Sequence, residues 1–373
     1  MARYDNVIVG GGLAGGMAAQ EYREAGGDGS VVIIAREPHS PYHRPPLTKE
    51  FLRREKPEHE LMMHSDEEWR DMDVEVRRST DATAIDPDGH AVVLTGGERI
   101  EYGRLLLATG ATPRTVGDAA TIRVIEDSKR VGDLLERGSG HLGVIGGGFI
   151  GVEAAASARM KGLDVTMVAP EPVLWSHLFG EQVGRYFQGH MERHGVKVIT
   201  GAKQLPPADY DLVIAGIGVS PNIELAAAAG LETQSGVLAD DHLQAAADVW
   251  VAGDIAEYES VIHNRRIRIE HWDVALNQGR YVGRSWAGAE RGPYAVVPYF
   301  FSDLADWTWF EYVGPAGRDD AVEVRGSMDG DDFVAYYSSP DGKLTGCLGV
   351  NRSDEVNEAK ELIASGGGVP AAG

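Results

Sequence analysis

Cysteine and positive charge are scarce in this chain. Of 373 residues only Cys347 is a cysteine, which excludes an intramolecular disulfide and a redox-active cysteine pair. The 35 lysines and arginines stand against 57 aspartates and glutamates, giving a formal net charge of −22. This balance argues against nucleic acid or an anionic membrane as a partner.

Two kinds of segment are also missing. No apolar run reaches the roughly 18 to 20 residues that a membrane helix needs. The stretch Met1 to Asp5 leads almost directly into a predicted strand and leaves no room for a signal peptide, so we expect a cytoplasmic protein. The 12 histidines form no cluster with the spacing of metal ligands, so we expect no metal site.

Glycine, by contrast, is abundant, and it occurs twice in the spacing G-x-G-x-x-G between a strand-like run and a helix-forming run. This spacing lets the backbone turn tightly, lets a pyrophosphate approach the amides of the helix N-terminus, and lets helix and strand pack closely. The sequence therefore predicts two dinucleotide-binding units, with Gly10, Gly12 and Gly15 in the first turn and Gly146, Gly148 and Gly151 in the second.

The first turn opens a predicted βαβ unit. Its parts are a strand from Asn6 to Val9, a helix from Gly15 to Ala25, and a strand from Val31 to Ala35. In dinucleotide folds an acidic group about 20 residues after the turn holds a ribose hydroxyl. Glu37 is the candidate for that role, and an ordinary solvated carboxylate is the alternative.

Further motifs follow in a fixed order along the chain. They are RPPLTK (Arg44 to Lys49), ATG (Ala108 to Gly110), GD (Gly253 and Asp254), EHW (Glu270 to Trp272) and PYFFSD (Pro298 to Asp303). Together with the first glycine turn, these motifs resemble those of the FAD-dependent ferredoxin reductases, the family of rubredoxin and putidaredoxin reductases and apoptosis-inducing factor. The resemblance implies the pyridine nucleotide-disulfide oxidoreductase fold without its redox cysteines, and an enzyme that passes electrons from NADH through FAD to a ferredoxin-type iron-sulfur protein.

The predicted fold class is α/β, with two Rossmann-like domains, the second inserted in the first, and a small α+β C-terminal domain. We place the FAD domain at residues 1–112 and 243–298, the NAD domain at 113–242, and the C-terminal domain at 299–373. Residues Gly201 to Asp211 are too few for the β-hairpin that relatives carry at this point, so the NAD domain is predicted to be trimmed.

The resemblance also implies the site residues. It places Lys49 beside the flavin and pairs it with Glu153, and burying either charge alone would be costly. Helix capping by Lys49 and a helix-terminal preference of Glu153 are the plain alternatives. The residues expected to hold FAD are Gly10, Gly12, Gly15, Glu37, Arg44, Lys49, Thr109, Gly110, Asp254, His271 and Trp272, and those expected at the nicotinamide pocket are Gly146, Gly148, Gly151, Glu153, Glu171 and Gly218.

The end of the strand after the second turn departs from the family pattern. Ala169 stands where an acid should hold the adenosine ribose, and Glu171, displaced by two positions between prolines, is the substitute. Val173 stands where the family often has a basic residue, so a 2′-phosphate lacks a partner as well. NADH is therefore favoured over NADPH.

Two arginine groups could dock an acidic iron-sulfur protein despite the global charge. They centre on Arg53 and Arg54, next to Lys49, and on Arg265 and Arg266; ordinary solvated arginines are the alternative. The sequence leaves monomer and homodimer equally open.

Two rival functions remain. A redox-sensing flavoprotein like apoptosis-inducing factor, with weak NADH turnover, would explain Ala169 and the trimmed hairpin. A flavin reductase acting directly on a quinone or another small molecule would need no protein partner. For Cys347 we expect only a core-filling role, because it lies in a strand-like run.

Overall fold

Short apolar runs bounded by glycine, proline and turn residues form the strands. A computed structural model describes residues 2 to 371 of the chain. In chain order its strands are β1 (Ala2–Val9), β2 (Val31–Ile34), β3 (Val74–Arg77), β4 (Ala82–Asp86), β5 (Ala91–Leu94), β6 (Arg99–Leu107), β7 (Ala111–Pro113), β8 (His141–Ile145), β9 (Asp164–Ala169), β10 (Val196–Thr200), β11 (Leu212–Ala215), β12 (Val219–Pro221), β13 (Val237–Ala239), β14 (Gln244–Ala246), β15 (Val249–Val251), β16 (Ala256–Ser260), β17 (Arg265–Ile267), β18 (Tyr299–Leu304), β19 (Thr308–Val313), β20 (Ala321–Ser327), β21 (Asp332–Ser338) and β22 (Leu344–Val350).

The helices that matter most begin directly after the two glycine turns, where Gly12 and Gly148 are the N-cap residues. Among residues 2 to 371 none of the helices is both long and apolar enough to cross a membrane. The helices are α1 (Leu13–Glu24), α2 (Asp66–Asp71), α3 (Ile125–Leu135), α4 (Phe149–Met160), α5 (Ser176–Arg193), α6 (Glu224–Ala228), α7 (Trp272–Trp286) and α8 (Ser353–Ser365), with 3₁₀ turns at Pro45–Thr48, Glu58–Leu61 and Gly253–Ile255.

The chain divides into two compact units. The first comprises the chain up to His43 together with Glu58–Thr112 and Pro221–Pro298. The second comprises Arg44–Pro57, Pro113–Ser220 and the chain from Tyr299 onward.

The first unit is built on a sheet in the order β14-β15-β6-β1-β2-β3, with β5 also pairing β6. The strands β15, β6, β1, β2 and β3 run parallel, so their carboxyl ends meet at one edge. Ligands of open α/β sheets bind at that edge. Helices α1 and α7 cross closely, because Gly279 and Gly283 bring α7 against the backbone of Ala14 and Ala18.

In the second unit, a parallel sheet in the order β10-β9-β8-β11 forms the core of the predicted NAD domain. Residues 201 to 211, all of which the structure describes, contain neither helix nor strand. The side chains of Leu205 and Tyr210 from this link pack against Gly143 of β8. The link between β10 and β11 therefore contains no β-hairpin.

The C-terminal part of the second unit is an antiparallel sheet in the order β18-β19-β22-β21-β20, flanked by α8. Its first strand, β18, lies in the PYFFSD motif. Cys347 lies in β22 and is fully buried.

The two compact units differ from the predicted domains in two places. Residues 221 to 242 belong to the first unit, because β13 pairs with β16 there, whereas we placed them in the NAD domain. Arg44–Pro57, which we placed in the FAD domain, belongs to the second unit. The RPPLTK motif contains a 3₁₀ turn that begins at Pro45, because a proline tolerates the first position of a helix.

Candidate cofactor and redox sites

The first glycine turn leaves an open space at the N-terminus of α1. Gly10 has a φ of +131°, and a Cβ added to it would lie 2.0 Å from the carbonyl oxygen of Ala108. A Cβ at Gly15 would lie 2.2 Å from the carbonyl oxygen of Gly10. At Gly12, however, an added Cβ would meet no atom of residues 2 to 371 within 4 Å.

Packing within the protein thus accounts for Gly10 and Gly15 but not for Gly12. A pyrophosphate approaching the backbone does account for it, because the second glycine of such a turn keeps the amides accessible to an anion at the helix N-terminus. The turn therefore fits the pyrophosphate of FAD.

Glu37 lies three residues beyond the carboxyl end of β2, beside the first turn's sheet edge. Its Oε2 accepts a 2.6 Å hydrogen bond from the buried hydroxyl of Tyr42. The carboxylate is half-buried and held in place, as a ribose-binding group needs to be.

Thr109 and Gly110 follow β6 at the same edge. Gly110 has a φ of +66°, and the hydroxyl of Thr109 donates a 2.7 Å hydrogen bond to the carbonyl oxygen of Asn222. Two segments of the first unit thus meet at this turn.

Asp254 lies in the 3₁₀ turn that follows β15, again at this edge. The amide of Gly253 donates a 2.7 Å hydrogen bond to Oε1 of Gln278, and Nη1 of Arg268 donates a 3.0 Å bond to the carbonyl oxygen of Asp254. These bonds fix the turn from two sides.

His271 and Trp272 start α7. His271 is the N-cap residue, and burial lowers its pKa to about 4 against the opposing effect of Asp254, so the imidazole is neutral near pH 7. Nε1 of Trp272 donates a 3.2 Å hydrogen bond to Nδ1 of His43. The EHW segment is therefore rigidly placed at the N-terminus of α7.

Lys49 and Glu153 meet in the second unit, as the sequence analysis predicted. Nζ of Lys49 lies 3.5 Å from Oε1 of Glu153, and it also forms an ion pair with Asp303. Lys49 is 4% exposed and Glu153 7%. One ammonium group is therefore enclosed by two carboxylates.

Two hydroxyls complete the coordination of Glu153. Thr48 donates to Oε2 at 2.5 Å and Ser302 donates to Oε1 at 2.6 Å. The hydroxyl of Ser157 on α4 binds the carbonyl oxygen of Thr48 at 2.7 Å. The RPPLTK segment, α4 and β18 are thereby joined around one buried carboxylate.

Burial alone would lower the pKa of Lys49, but Glu153 and Asp303 outweigh it and raise that pKa above its ordinary value. Burial raises the pKa of Glu153, against Lys49 and the two hydroxyl donors. Lys49 therefore stays protonated at any physiological pH.

Arg44, expected at the FAD, donates from Nη1 to the carbonyl oxygen of Arg123 at 2.6 Å. It is partly exposed within the second unit.

The second glycine turn differs from the first at its middle glycine, which lies close to another backbone segment. Gly146 has a φ of +102°, and Gly151 packs against its carbonyl oxygen. The amide of Gly148 donates a 3.3 Å hydrogen bond to the carbonyl oxygen of Gly216, which would also lie 3.0 Å from a Cβ at Gly148. Gly218 is exposed with a φ of +91°.

Glu171 and Ala169, the residue at the position expected to hold an acid, both lie next to Gly147 in the second glycine turn. A Cβ added at Gly147 would lie 3.1 Å from Cβ of Ala169 and 3.5 Å from Oε2 of Glu171. This Oε2 is buried and has no hydrogen-bond partner among the described residues, while Oε1 lies 3.4 Å from Nδ1 of His177. The two-residue displacement therefore does not carry the carboxylate away from the turn.

The proposed docking arginines differ in exposure. Arg53 is only 7% exposed and bonds Ser157 and Glu55, so it presents no charge to a partner, contrary to our expectation. Arg54 is partly exposed and bonds Asp133. Arg265 and Arg266 are exposed on β17.

A possible cation-binding group lies in the loop after β13. Ligand atoms of Asp240, Asp241 and His242 lie within 4.8 Å of one another, a proximity that the sequence analysis missed. His242 and Asp241 bond each other at 2.6 Å, and the group is at most half-buried. Such exposed acidic groups are common without a metal, so no metal site is assigned here.

Sequence reasoning also missed the partners of the predicted residues. Asp303 was noted only as part of a motif, and Thr48, Asn222 and Gln278 received no role. Each is far in sequence from its partner, and only the motif positions of Asp303 and Thr48 could have drawn attention to them.

Comparison with known proteins agrees with this arrangement. A family model described as pyridine nucleotide-disulphide oxidoreductase matches residues 4–279, and one described as reductase C-terminal matches residues 299–373. The chain belongs to the pyridine nucleotide-disulphide oxidoreductase family.

Individual members of this family resemble the chain over almost its whole length. The ferredoxin–NAD(+) reductase component of the anthranilate 1,2-dioxygenase system of Burkholderia cepacia is 32% identical, over 96% of this chain and 94% of that protein. Putidaredoxin reductase of Pseudomonas putida is 32% identical, over 96% and 92%. The crystal structure of the covalent putidaredoxin reductase–putidaredoxin complex superimposes with a TM-score of 0.90 at 30% identity, over 98% of this chain and 94% of that chain.

The predicted family, fold class and oxidoreductase class are thereby confirmed, as are FAD and NADH as the cofactors of this pyridine nucleotide-disulphide oxidoreductase. Electron transfer to a ferredoxin is supported by the same relatives. The roles of individual site residues and the domain limits stay predictions.

Proposed function

We propose that this oxidoreductase takes a hydride from NADH and passes the electrons singly to a ferredoxin-type iron-sulfur protein. The observation that carries the proposal is the single cysteine in a member of a disulphide oxidoreductase family. Cys347 is fully buried, and burial raises the pKa of its thiol. No thiol pair can take the reducing equivalents, so an outer acceptor must, and the relatives named above favour a ferredoxin.

FAD, when bound, supplies the conversion between a two-electron donor and one-electron acceptors. The protein binds and orients it. For this role we propose the residues of the first glycine turn and of the turns at its sheet edge, together with two residues of the RPPLTK motif: Gly10, Gly12, Gly15, Glu37, Arg44, Lys49, Thr109, Gly110, Asp254, His271 and Trp272.

Lys49 serves as a fixed positive charge rather than as an acid. Its raised pKa keeps the ammonium protonated, so it can stabilise negative charge on a reduced flavin without losing its proton. Glu153 and Asp303 hold the ammonium, and the hydroxyls of Thr48 and Ser302 hold Glu153.

For NADH we propose the second glycine turn, Gly218 and Glu171. The unpartnered, buried Oε2 of Glu171 next to Gly147 supports it as acceptor for a ribose hydroxyl. A carboxylate at this place disfavours a 2′-phosphate, which supports NADH over NADPH.

Docking of the iron-sulfur protein is proposed to use Arg54, Arg265 and Arg266, whereas Arg53 is withdrawn from that role because it is buried. We retain the three predicted domains as the functional division, and monomer and homodimer both remain compatible with the proposal. The cytoplasmic location stays a prediction.

The test is anaerobic mixing of the yellow holoenzyme with NADH, followed by a reduced-ferredoxin assay. We expect loss of the visible flavin absorbance on mixing, and its recovery when oxidised ferredoxin is added. An enzyme that NADH does not bleach contradicts the proposal. One that NADH bleaches and a quinone, but no ferredoxin, reoxidises contradicts the proposed acceptor.

A further inference from the structure

Asn222 is bonded to the turn after β6 through both its backbone and its side chain. Its Nδ2 donates to the carbonyl oxygen of Thr109 at 2.8 Å, and its Oδ1 accepts from the hydroxyl of Thr112 at 2.7 Å. Its backbone amide donates to the carbonyl oxygen of Gly110 at 2.9 Å, and its carbonyl oxygen accepts from the hydroxyl of Thr109 at 2.7 Å. Asn222 therefore forms four hydrogen bonds with Thr109, Gly110 and Thr112.

The turn after β6 lies directly against the first glycine turn through Ala108, the residue that precedes it. The amide of Ala108 donates to the carbonyl oxygen of Val9 at 2.8 Å, and the carbonyl oxygen of Ala108 lies where a side chain of Gly10 would be. A shift of Thr109 or Gly110 would therefore move Ala108 and displace the backbone at Gly10. Gly110 also has a φ of +66°, a conformation that its bond from Asn222 helps to retain.

An amide side chain is required to make both side-chain bonds. An aspartate at this position would keep the acceptor for Thr112 but would lose the donor to Thr109 and place a negative charge against its carbonyl oxygen. An alanine would lose both bonds while leaving the two backbone bonds of the residue in place.

We infer that Asn222 is a positioning residue for FAD, which acts by holding Thr109 and Gly110 against the first glycine turn. This inference rests on the proposed function, because FAD binding by Thr109 and Gly110 is part of it. Asn222 has no role in the chemistry itself.

The test measures flavin release from the holoenzyme, as the rise of flavin fluorescence after dilution, together with the visible circular dichroism of the bound flavin. We expect Asn222→Ala to release FAD about tenfold faster and Asn222→Asp at least as fast, because each loses the bond to Thr109. Thr112→Val should accelerate release about threefold, because it removes one bond at an exposed residue. The dichroism of the flavin should change in Asn222→Ala.

Two controls separate positioning from loss of stability. Asn357→Ala, on the exposed side of α8, should release FAD at the wild-type rate. Val74→Ala, in the core of the first unit, should lower the melting temperature without changing flavin release or dichroism at a temperature well below unfolding.

Wild-type release rates and dichroism in Asn222→Ala, with or without a lower melting temperature, would overturn the inference. If Asn222→Ala does not fold, Thr112→Val decides, and a wild-type rate in that variant overturns the inference. A wild-type protein that holds FAD but is not reduced by NADH would instead contradict the proposed function and leave the release measurements interpretable.

Discussion

Lys49 and Glu153 form a buried ion pair, with Nζ 3.5 Å from Oε1, although one follows a proline segment near the start of the chain and the other lies on α4. The pair is not isolated, since Asp303 binds the same ammonium and two hydroxyls bind the same carboxylate. Removing one charged partner from such a network strongly destabilises the fold, because the remaining charge stays buried without a counter-charge.

Lys49→Met should therefore lower the free energy of unfolding by about 3 to 5 kcal/mol, measured by urea denaturation at neutral pH. The cost should be smaller at pH 5 than at pH 8, because burial already raises the pKa of Glu153 and a proton can neutralise it once the ammonium is gone. Lys161→Met is the matched control, since Lys161 pairs with Glu55 at 3.1 Å near the surface and should cost about 1 kcal/mol or less. Equal costs for the two variants would contradict the buried network.

Gly12→Ala should fold normally but bind FAD weakly. An added Cβ meets no atom of the described part of the chain within 4 Å, so the melting temperature of the flavin-free protein should stay near that of the wild type. The methyl group would occupy space that the pyrophosphate needs, so flavin content after purification should fall at least about tenfold. Gly292→Ala, where an added Cβ would come no closer than 3.9 Å to Glu290, should keep its flavin. A fully loaded Gly12→Ala variant would argue against this placement of the pyrophosphate.

Glu171→Gln should raise KM for NADH about tenfold with little change in kcat, because a hydrogen bond from a ribose hydroxyl to a charged acceptor is weakened. The ratio of kcat/KM for NADH to kcat/KM for NADPH should decrease in the same variant. Steady-state kinetics with both nucleotides measures this. Glu181→Gln removes a carboxylate that pairs with Arg185 on the exposed side of α5 and should leave both constants unchanged. Unchanged KM in Glu171→Gln would mean that another group holds the ribose.

His263 should make the protein less stable in mild acid. Burial, with a contribution from Arg265, lowers its pKa to about 4 from 6.5, so the unfolded chain binds more protons between these values. Stability is therefore lost as pH falls from 6.5 towards 4, by up to about 3 kcal/mol from this residue.

In His263→Asn this loss of stability between pH 6.5 and 4 should disappear, as measured by urea unfolding at several pH values. His59 is exposed, so the control variant His59→Asn should lose stability in the same way as the wild type. Identical slopes for His263→Asn and the wild type would show that His263 is not buried as a neutral group.

Much of the fold and of the candidate site could be predicted from the sequence. The glycine turns, the βαβ unit and the ordered motifs are local patterns, and the chemistry of each local pattern dictates its geometry. Gly10 has a positive φ and Gly15 is closely packed, as the G-x-G-x-x-G spacing predicts, and the ordered motifs add the specificity that one such turn lacks. The lack of strands between β10 and β11 could likewise be predicted, because eleven residues are too few for a β-hairpin meander.

The sequence by itself determined the family, the cofactors and the lack of a thiol acceptor, since these depend on residue types and their order. Only the tertiary structure decided which side chains meet. Asp303 joins Lys49, Asn222 holds Thr109, Arg53 is buried, and Glu171 returns to the turn from two residues beyond Ala169. Contacts between residues so far apart depend on how strands and helices pack against one another, and no local pattern in the chain specifies which pairs of side chains meet.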